Sequence, residues 1–418
     1  MELEKFSFGI GDRFGMEGEA QLRALQQARD HGIDVVPVWN KSNREHVIIG
    51  TSPWDTRREA DRAVRAFHWT SSYYVDADHI GLATVDGFLE PSDFFTIDVA
   101  DFIGKPADAA AVSGFLSAMK SSVRRIALPD VQYQVVITDE LLQTFAENYL
   151  LAVQEAGRVY RAIAVQKGAE NFVAEISFDE AEVSQTPEEL FLILAAVAKE
   201  KIRLQTIAPK FVGKFLKGVD YVGDVAAFAR QFELDVAVIR SAVETFDLPA
   251  SLKLSVHSGS DKFSLYPSIH KSLAKHGAGI HVKTAGTTWL EELIGLVEGG
   301  SDGLEFAKRV YRESLDRYDL LVKPYLAVVD IQTSRLPTPS TVNTWTGAKF
   351  AAVLRHDPAC KDFSADIRQL LHVGYRIAAE QGDVYLELLK TYRKTVERNV
   401  AENLFQRHLL PIFGGGKS

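Results

Sequence analysis

Short runs rich in Val, Ile, Phe and Tyr, each followed by polar residues and then a helical pattern, recur along this chain. Alternation of this kind admits few folds, because strands that pair in parallel need a crossover element, usually a helix, between them. Candidate strands lie at Val35–Trp39, Val47–Thr51, Tyr73–Val75, Phe95–Val99, Phe172–Ile176, Leu204–Ile207, Leu252–Val256, Gly279–Val282 and Leu326–Asp330. That is one more than a closed (β/α)8 barrel requires. Between them, Gly18–His31 keeps its apolar residues on one side, Pro187–Lys201 opens with Thr186, Pro187 and the acidic pair Glu188 and Glu189, and Trp289–Glu298 follows Thr287 and Thr288. These are helix-start signals. The predicted fold class is α/β: a TIM-type (β/α)8 barrel with insertions and a C-terminal helical extension.

The barrel is expected over residues 1–339, with an insertion near 104–150 where an Ala- and Ser-rich helical stretch precedes the apolar run Val131–Ile137. Residues 340–418, helical in pattern at Ala365–Glu380 and Asp383–His408, are expected to pack on the barrel as a cap. The 47 basic residues are outnumbered by 56 acidic ones, which disfavours a nucleic-acid footprint. Apolar windows such as Leu190–Ala198 stop short of the roughly 20 residues a membrane span needs. Cys360 has no second cysteine to pair with, and no leader-like segment opens the chain. A cytoplasmic protein binding neither nucleic acid nor membrane is expected. Nothing in the sequence signals its oligomeric state.

Three strand ends carry the chemistry. Tyr73-Tyr74-Val75-Asp76-Ala77-Asp78-His79 is an apolar strand ending in carboxylates and an imidazole, at the end where barrel enzymes keep their catalytic groups. Adjacent Asp78 and His79 are expected to point in different directions, one to a metal and one to the substrate; the alternative is a helix-capping pair. Leu254-Ser255-Val256-His257 runs into the small-residue turn Ser258-Gly259-Ser260-Asp261-Lys262, suited to close backbone approach by an anionic ligand. In Gly279-Ile280-His281-Val282-Lys283, His281 and Lys283 lie two apart and share one side of a strand. One such histidine is usually a core residue, but three on successive strand ends suggest a site in which His79, His257 and His281 hold a divalent metal ion (Zn, Mn, Ni, Co or Fe).

Glu175 sits in the otherwise apolar run Phe172–Ile176, where an unpaired charge is costly. Facing the barrel mouth, it would have a raised pKa suited to acid work, with Asp78 held ionised beside a cation for base work. The alternative for Glu175 is a buried ion pair with a lysine. Lys210, Lys262 and Lys283 are candidates for gripping a carboxylate or alkoxide. Gly9-Ile10-Gly11-Asp12-Arg13-Phe14-Gly15 has the wrong spacing for a dinucleotide loop, and the residues before it do not read as an apolar strand. Its glycines either bring Asp12 and Arg13 to the mouth or form a salt-bridged turn.

Taken together, GIGDRFG (Gly9–Gly15), VDADHI (Val75–Ile80), SVHSGSDKF (Ser255–Phe263) and HVKTAGTTWL (His281–Leu290) resemble the tagaturonate epimerases, metal-dependent enzymes that interconvert tagaturonate and fructuronate, with relatives acting on tagatose and fructose. The resemblance implies Asp78 as proton acceptor, Glu175 as proton donor, and His79, His257 and His281 as metal ligands. Asp12, Arg13, Lys210, Ser260, Asp261, Lys262 and Lys283 complete the expected substrate contacts. The Asp-His pair also looks like that of class II aldolases, which suits the chemistry. The inverting carbon, C4, lies β to the ketone, so its hydrogen is not acidified, whereas its hydroxyl permits retro-aldol cleavage between C3 and C4. A metal-dependent aldolase and a sugar-binding barrel without catalysis are the alternatives, and the substrate is either the uronate or the neutral ketose.

Overall fold

In the computed structural model, which describes residues 1–120, 124–284 and 287–414, ten strands are formed. They are β1 (Phe6–Ile10), β2 (Val36–Ser42), β3 (Tyr74–Ile80), β4 (Phe94–Asp98), β5 (Arg125–Ala127), β6 (Gln134–Val136), β7 (Val173–Ser177), β8 (Leu204–Ala208), β9 (Lys253–His257) and β10 (Ile280–Lys283). The short antiparallel pair β5 and β6 stands apart. The other eight are parallel and close in chain order, β10 returning to β1 through the register Ser7 to His281 and Gly9 to Lys283. This is the predicted TIM-type barrel, with C-terminal helices added.

Two of the nine expected strands are not strands, and one strand of the barrel was not expected. Val47–Thr51 falls on the helix Asn43–Ile49 and its end: Ser42 and Glu45 form a reciprocal cap, and Gly50, at φ 77°, terminates the helix. Leu326–Asp330 follows a 3-10 turn at Lys323–Tyr325 and forms turn and coil. Conversely, β1 does precede the Gly9–Gly15 loop; with Ser7 and Gly9 facing a crowded interior, it lacks the apolar density that marks the other strands.

The helix Pro187–Lys199 starts as its sequence dictates, with Thr186 accepting from the Glu189 amide and Glu189 returning the bond. Its apolar surface joins a core between strands and outer helices that holds most of the buried hydrophobic residues. A small apolar plug, Leu3, Val36, Val38, Tyr74, Phe94 and Val173, fills the lower barrel. A separate core gathers Trp289, Leu293, Phe306, Tyr311, Phe350, Leu370 and Tyr385, joining the helices Thr288–Gly299 and Ser301–Asp316 to those farther along the chain. The two long C-terminal helical patterns are broken: Gly374 separates Ala365–Val373 from Tyr375–Gln381, and Tyr392 separates Asp383–Thr391 from Arg393–Glu402. Among the described residues no helix is long and apolar enough to cross a membrane.

Candidate active site

Above the apolar plug the barrel interior turns polar. Lys283 reaches across from β10, its Nζ 2.7 Å from Asp76 Oδ2, 2.9 Å from Asp78 Oδ1 and 3.0 Å from Glu175 Oε1, and it also donates to Thr96. Thr96 Oγ1 in turn lies 3.0 Å from both Asp76 and Glu175. Three carboxylates share one ammonium in a buried layer, and the three groups respond differently. Burial, with like charges on Asp78 and Glu175, raises Asp76 despite Lys283. Against the same burial, Lys283 and His79 hold Asp78 well below the usual carboxylate range, and Lys283 and His257 do the same for Glu175. Glu175 therefore does not have the raised pKa expected of it: its environment is the buried ion pair with a lysine.

Asp78 and His79 do not diverge as expected. The register between β3 and β4 steps from Ala77 opposite Phe95 to Ile80 opposite Ile97, so β3 carries one extra residue. His79 absorbs that bulge with φ 54°, a left-handed conformation costing a residue with a Cβ roughly 1 kcal/mol or more. The result brings both side chains together, His79 Nδ1 2.9 Å from Asp78 Oδ1.

The expected trio of imidazoles does not assemble. His79 and His257 lie with ring centroids 5.2 Å apart, and the third group between them is Asp179, from the loop after β7. Asp179 Oδ1 is 3.5 Å from His79 Nε2 and Oδ2 is 3.3 Å from His257 Nδ1, while His257 Nε2 is 2.8 Å from Glu175 Oε1. Asp78 and Asp179 raise His79, and Asp179 and Glu175 raise His257, although burial alone would lower both imidazoles. His281 sits two residues below Lys283 on the same strand. There Nδ1 meets Ser7 Oγ at 2.9 Å, Nε2 has no partner among the described residues, and burial pulls the ring down to a pKa of about 3.

Of the expected substrate contacts, only Lys283 points into this layer, and its ammonium is saturated by the protein. Asp12 is the turn-former of the alternative reading, accepting from the amides of Phe14, Gly15, Met16 and Glu17. Arg13 is salt-bridged to Glu45 at 3.0 Å, donates to the His372 carbonyl and stacks on Tyr375 at 3.9 Å. Lys210 Nζ braces the Asp179 carbonyl at 2.8 Å. Ser260, Asp261 and Lys262 are buried. Lys262 Nζ is caged by the carbonyls of Leu216, Val219 and Asp261 and by Ser260 Oγ, which leaves burial to pull it down to a pKa of about 7. Asp261 is bonded to Thr287, His356, Arg368 and His408.

The profile of one family, the tagaturonate epimerases, matches residues 1–410. The chain belongs to the tagaturonate epimerase family. It is thus an enzyme of the carbohydrate isomerase class, acting on a small sugar-derived substrate. The epimerase is 27% identical to the tagaturonate/fructuronate epimerase of Thermotoga maritima, over 96% of this chain and 80% of that one. Its fold is similar to crystal structures of the fructuronate-tagaturonate epimerase UxaE from Cohnella laeviribosi. The glycerol-bound form superposes with a TM-score of 0.80 at 22% identity, over 99% of this chain and 82% of that one; the native form gives 0.79.

One residue of this cluster, Asp179, was not expected from the sequence. Asp179 stands in the irregular segment Phe178–Gln185, where no periodicity singles out one acid among Asp179, Glu180 and Glu182. The only available signal was position: Asp179 follows the C-terminal end of a barrel strand.

Proposed function

We propose that this epimerase interconverts tagaturonate and fructuronate by inverting C4 through retro-aldol cleavage and re-addition, assisted by a divalent metal ion. The observation that carries the reading is the convergence of Asp78, His79, Asp179 and His257 on one point at the strand ends, in a chain of this family. Two imidazoles and a carboxylate with ligand atoms within 4.8 Å of one another are a donor set that first-row divalent ions accept. His79, Asp179 and His257 would hold the ion. The poise of both imidazoles supports this, since the carboxylates that now favour a proton on each ring would equally favour a cation in its place. A metal bound there supplies Lewis acidity, polarising the ketone and dispersing the negative charge that carbon–carbon cleavage leaves behind.

The chain's own groups account for the proton movements. Asp78, ionised because Lys283 and His79 neutralise it, accepts the proton of the C4 hydroxyl as the C3–C4 bond breaks. The freed aldehyde turns its other face, the bond re-forms, and Asp78 returns the proton to the new C4 oxygen. Glu175, held ionised, orients His257 and Lys283 in this scheme; it would donate a proton only if one reached it from a neighbour such as Asp76 through Thr96.

Turnover in deuterated water tests the mechanism. Conversion without solvent deuterium at C4 is expected; substantial C4 deuteration would overturn the retro-aldol route. Two six-carbon ketouronates should account for all product, and released three-carbon fragments would make the protein a lyase instead. Chelation should abolish conversion and added Mn²⁺ or Zn²⁺ restore it. Asp78→Asn should retain metal but lose at least about 100-fold in kcat, measured by metal analysis and steady-state kinetics.

A further inference from the structure

The cations at this mouth are nearly all matched. Lys283 meets three carboxylates, Arg13 meets Glu45, Lys210 meets a carbonyl, and Lys262 is caged. Lys217 differs. Its half-buried ammonium has no hydrogen-bond acceptor or carboxylate within bonding distance among the described residues, although it lies within the electrostatic reach of Asp179, Glu45, Arg13 and Arg44. Both of those carboxylates are engaged elsewhere, Asp179 with His79 and His257, and Glu45 with Arg13 and Ser42. Arg44, in the first turn of the helix Asn43–Ile49 that follows β2, is exposed and rests on the Tyr325 ring at 5.1 Å without a carboxylate partner among the described residues.

The backbone under Lys217 is clamped. Its amide donates to the Val328 carbonyl at 2.8 Å. The carbonyls of Leu216 and Val219 are held by Lys262 Nζ, and that of Gly218 by Arg368 Nε at 2.5 Å. The side chain then lies over the turn that follows His257: a Cβ on Gly259, which has φ 65°, would sit 3.0 Å from Lys217 Nζ. A fixed backbone delivering an unmatched ammonium beside the ligand cluster, with a second unmatched cation nearby, is a preorganised anion site.

We propose that Lys217, together with Arg44, forms a carboxylate subsite that takes the C6 carboxylate of a ketouronate and selects it over the neutral ketose. This rests on the epimerase reading for the identity of the substrate, but not for the presence of the subsite.

The test compares Lys217→Met and Lys217→Arg with wild type in fructuronate and tagaturonate turnover, and in equilibrium binding of fructuronate against fructose by calorimetry. Lys217→Met should raise KM for the uronates roughly 10- to 100-fold with kcat within about threefold, and Lys217→Arg should recover most of that loss. Fructuronate should bind wild type more tightly than fructose, and the Met variant should lose that preference. If Lys217→Met does not fold, Lys217→Gln replaces it. An unchanged KM and preference, or a loss confined to kcat, would overturn the subsite while leaving the epimerase standing. Wild type that binds fructuronate through Lys217 without converting it would overturn the activity and keep the subsite. A wild type that shows no preference for fructuronate over fructose would also overturn the subsite.

Discussion

At the residue scale the site is a problem of buried charge. Three carboxylates face Lys283 in a layer that water barely reaches, so each depends on its neighbours for neutralisation. Removing the ammonium leaves acids that must either take protons or stay unpaired. Lys283→Met is therefore expected to destabilise the fold by about 3–5 kcal/mol at neutral pH, read by urea unfolding, and to lose activity through Asp78. The deficit should shrink at low pH, where the orphaned acids protonate. At the opposite end of the barrel Lys253 illustrates the reverse sign. Among the described residues its ammonium meets only the carbonyls of Leu3, Glu4 and Ser251, and burial pulls it down to a pKa of about 8, with the Glu4 and Glu2 carboxylates opposing. The unfolded chain, with a lysine pKa near 10.5, binds more protons than the folded one between those two values. Stability relative to a Lys253→Met variant should therefore rise from pH 8 to pH 10.5, by up to about 3 kcal/mol, in denaturation curves taken across that window.

At the scale of elements, what was legible follows from what each element buries. β2, β3, β4, β7, β8, β9 and β10 lie on or beside their expected segments because strands covered on both faces are largely apolar. β1 escaped because it contributes Ser7 and Gly9 to a crowded interior, and Val47–Thr51 misled because a short apolar run fits a helical turn as well as a strand. The strand-end residues Asp78, His79 and His257 were legible for the same positional reason. Asp179 and Lys217 were not, since loop residues carry no period. Nor could the bulge that turns His79 toward Asp78 be read, because it shows only in the pairing with β4. Packing between helices makes its own prediction. Thr288–Gly299 is buried on nearly every side, and Gly295 lets the helix Arg393–Glu402 approach so closely that a Cβ would stand 2.5 Å from Val396 Cα. Backbone cannot yield as a side chain can. Gly295→Ala should cost about 1–3 kcal/mol in thermal or urea unfolding while leaving KM unchanged.

On the scale of the whole molecule, one carboxylate joins the barrel to the helices that follow it. Asp261 lies beyond β9, yet it bonds Arg368 at 2.8 Å, His356 at 2.9 Å, and His408 and Thr287 at 3.1 Å, drawing four distant parts of the chain onto one loop. Arg368 and the histidines hold it well below the usual carboxylate range despite its burial. Its stabilisation is thus fully present above the unfolded value near 3.8 and is lost as pH falls from there through the folded pKa. Asp261→Ala strands the Arg368 guanidinium in a dry environment and should cost about 3–5 kcal/mol at pH 7, with hydrogen exchange accelerated first in Ala365–Val373 and around His408. Asp261→Asn keeps the shape and some hydrogen bonds but not the charge, so it should fall between alanine and wild type. The consequence extends to the mouth, because Arg368 and neighbouring Lys262 also pin the loop that presents Lys217. Where Asp261→Asn still folds, its KM for the uronates should rise with little change in kcat. An Asn variant less stable than wild type but with an unaltered KM would mean that the clamp serves stability alone.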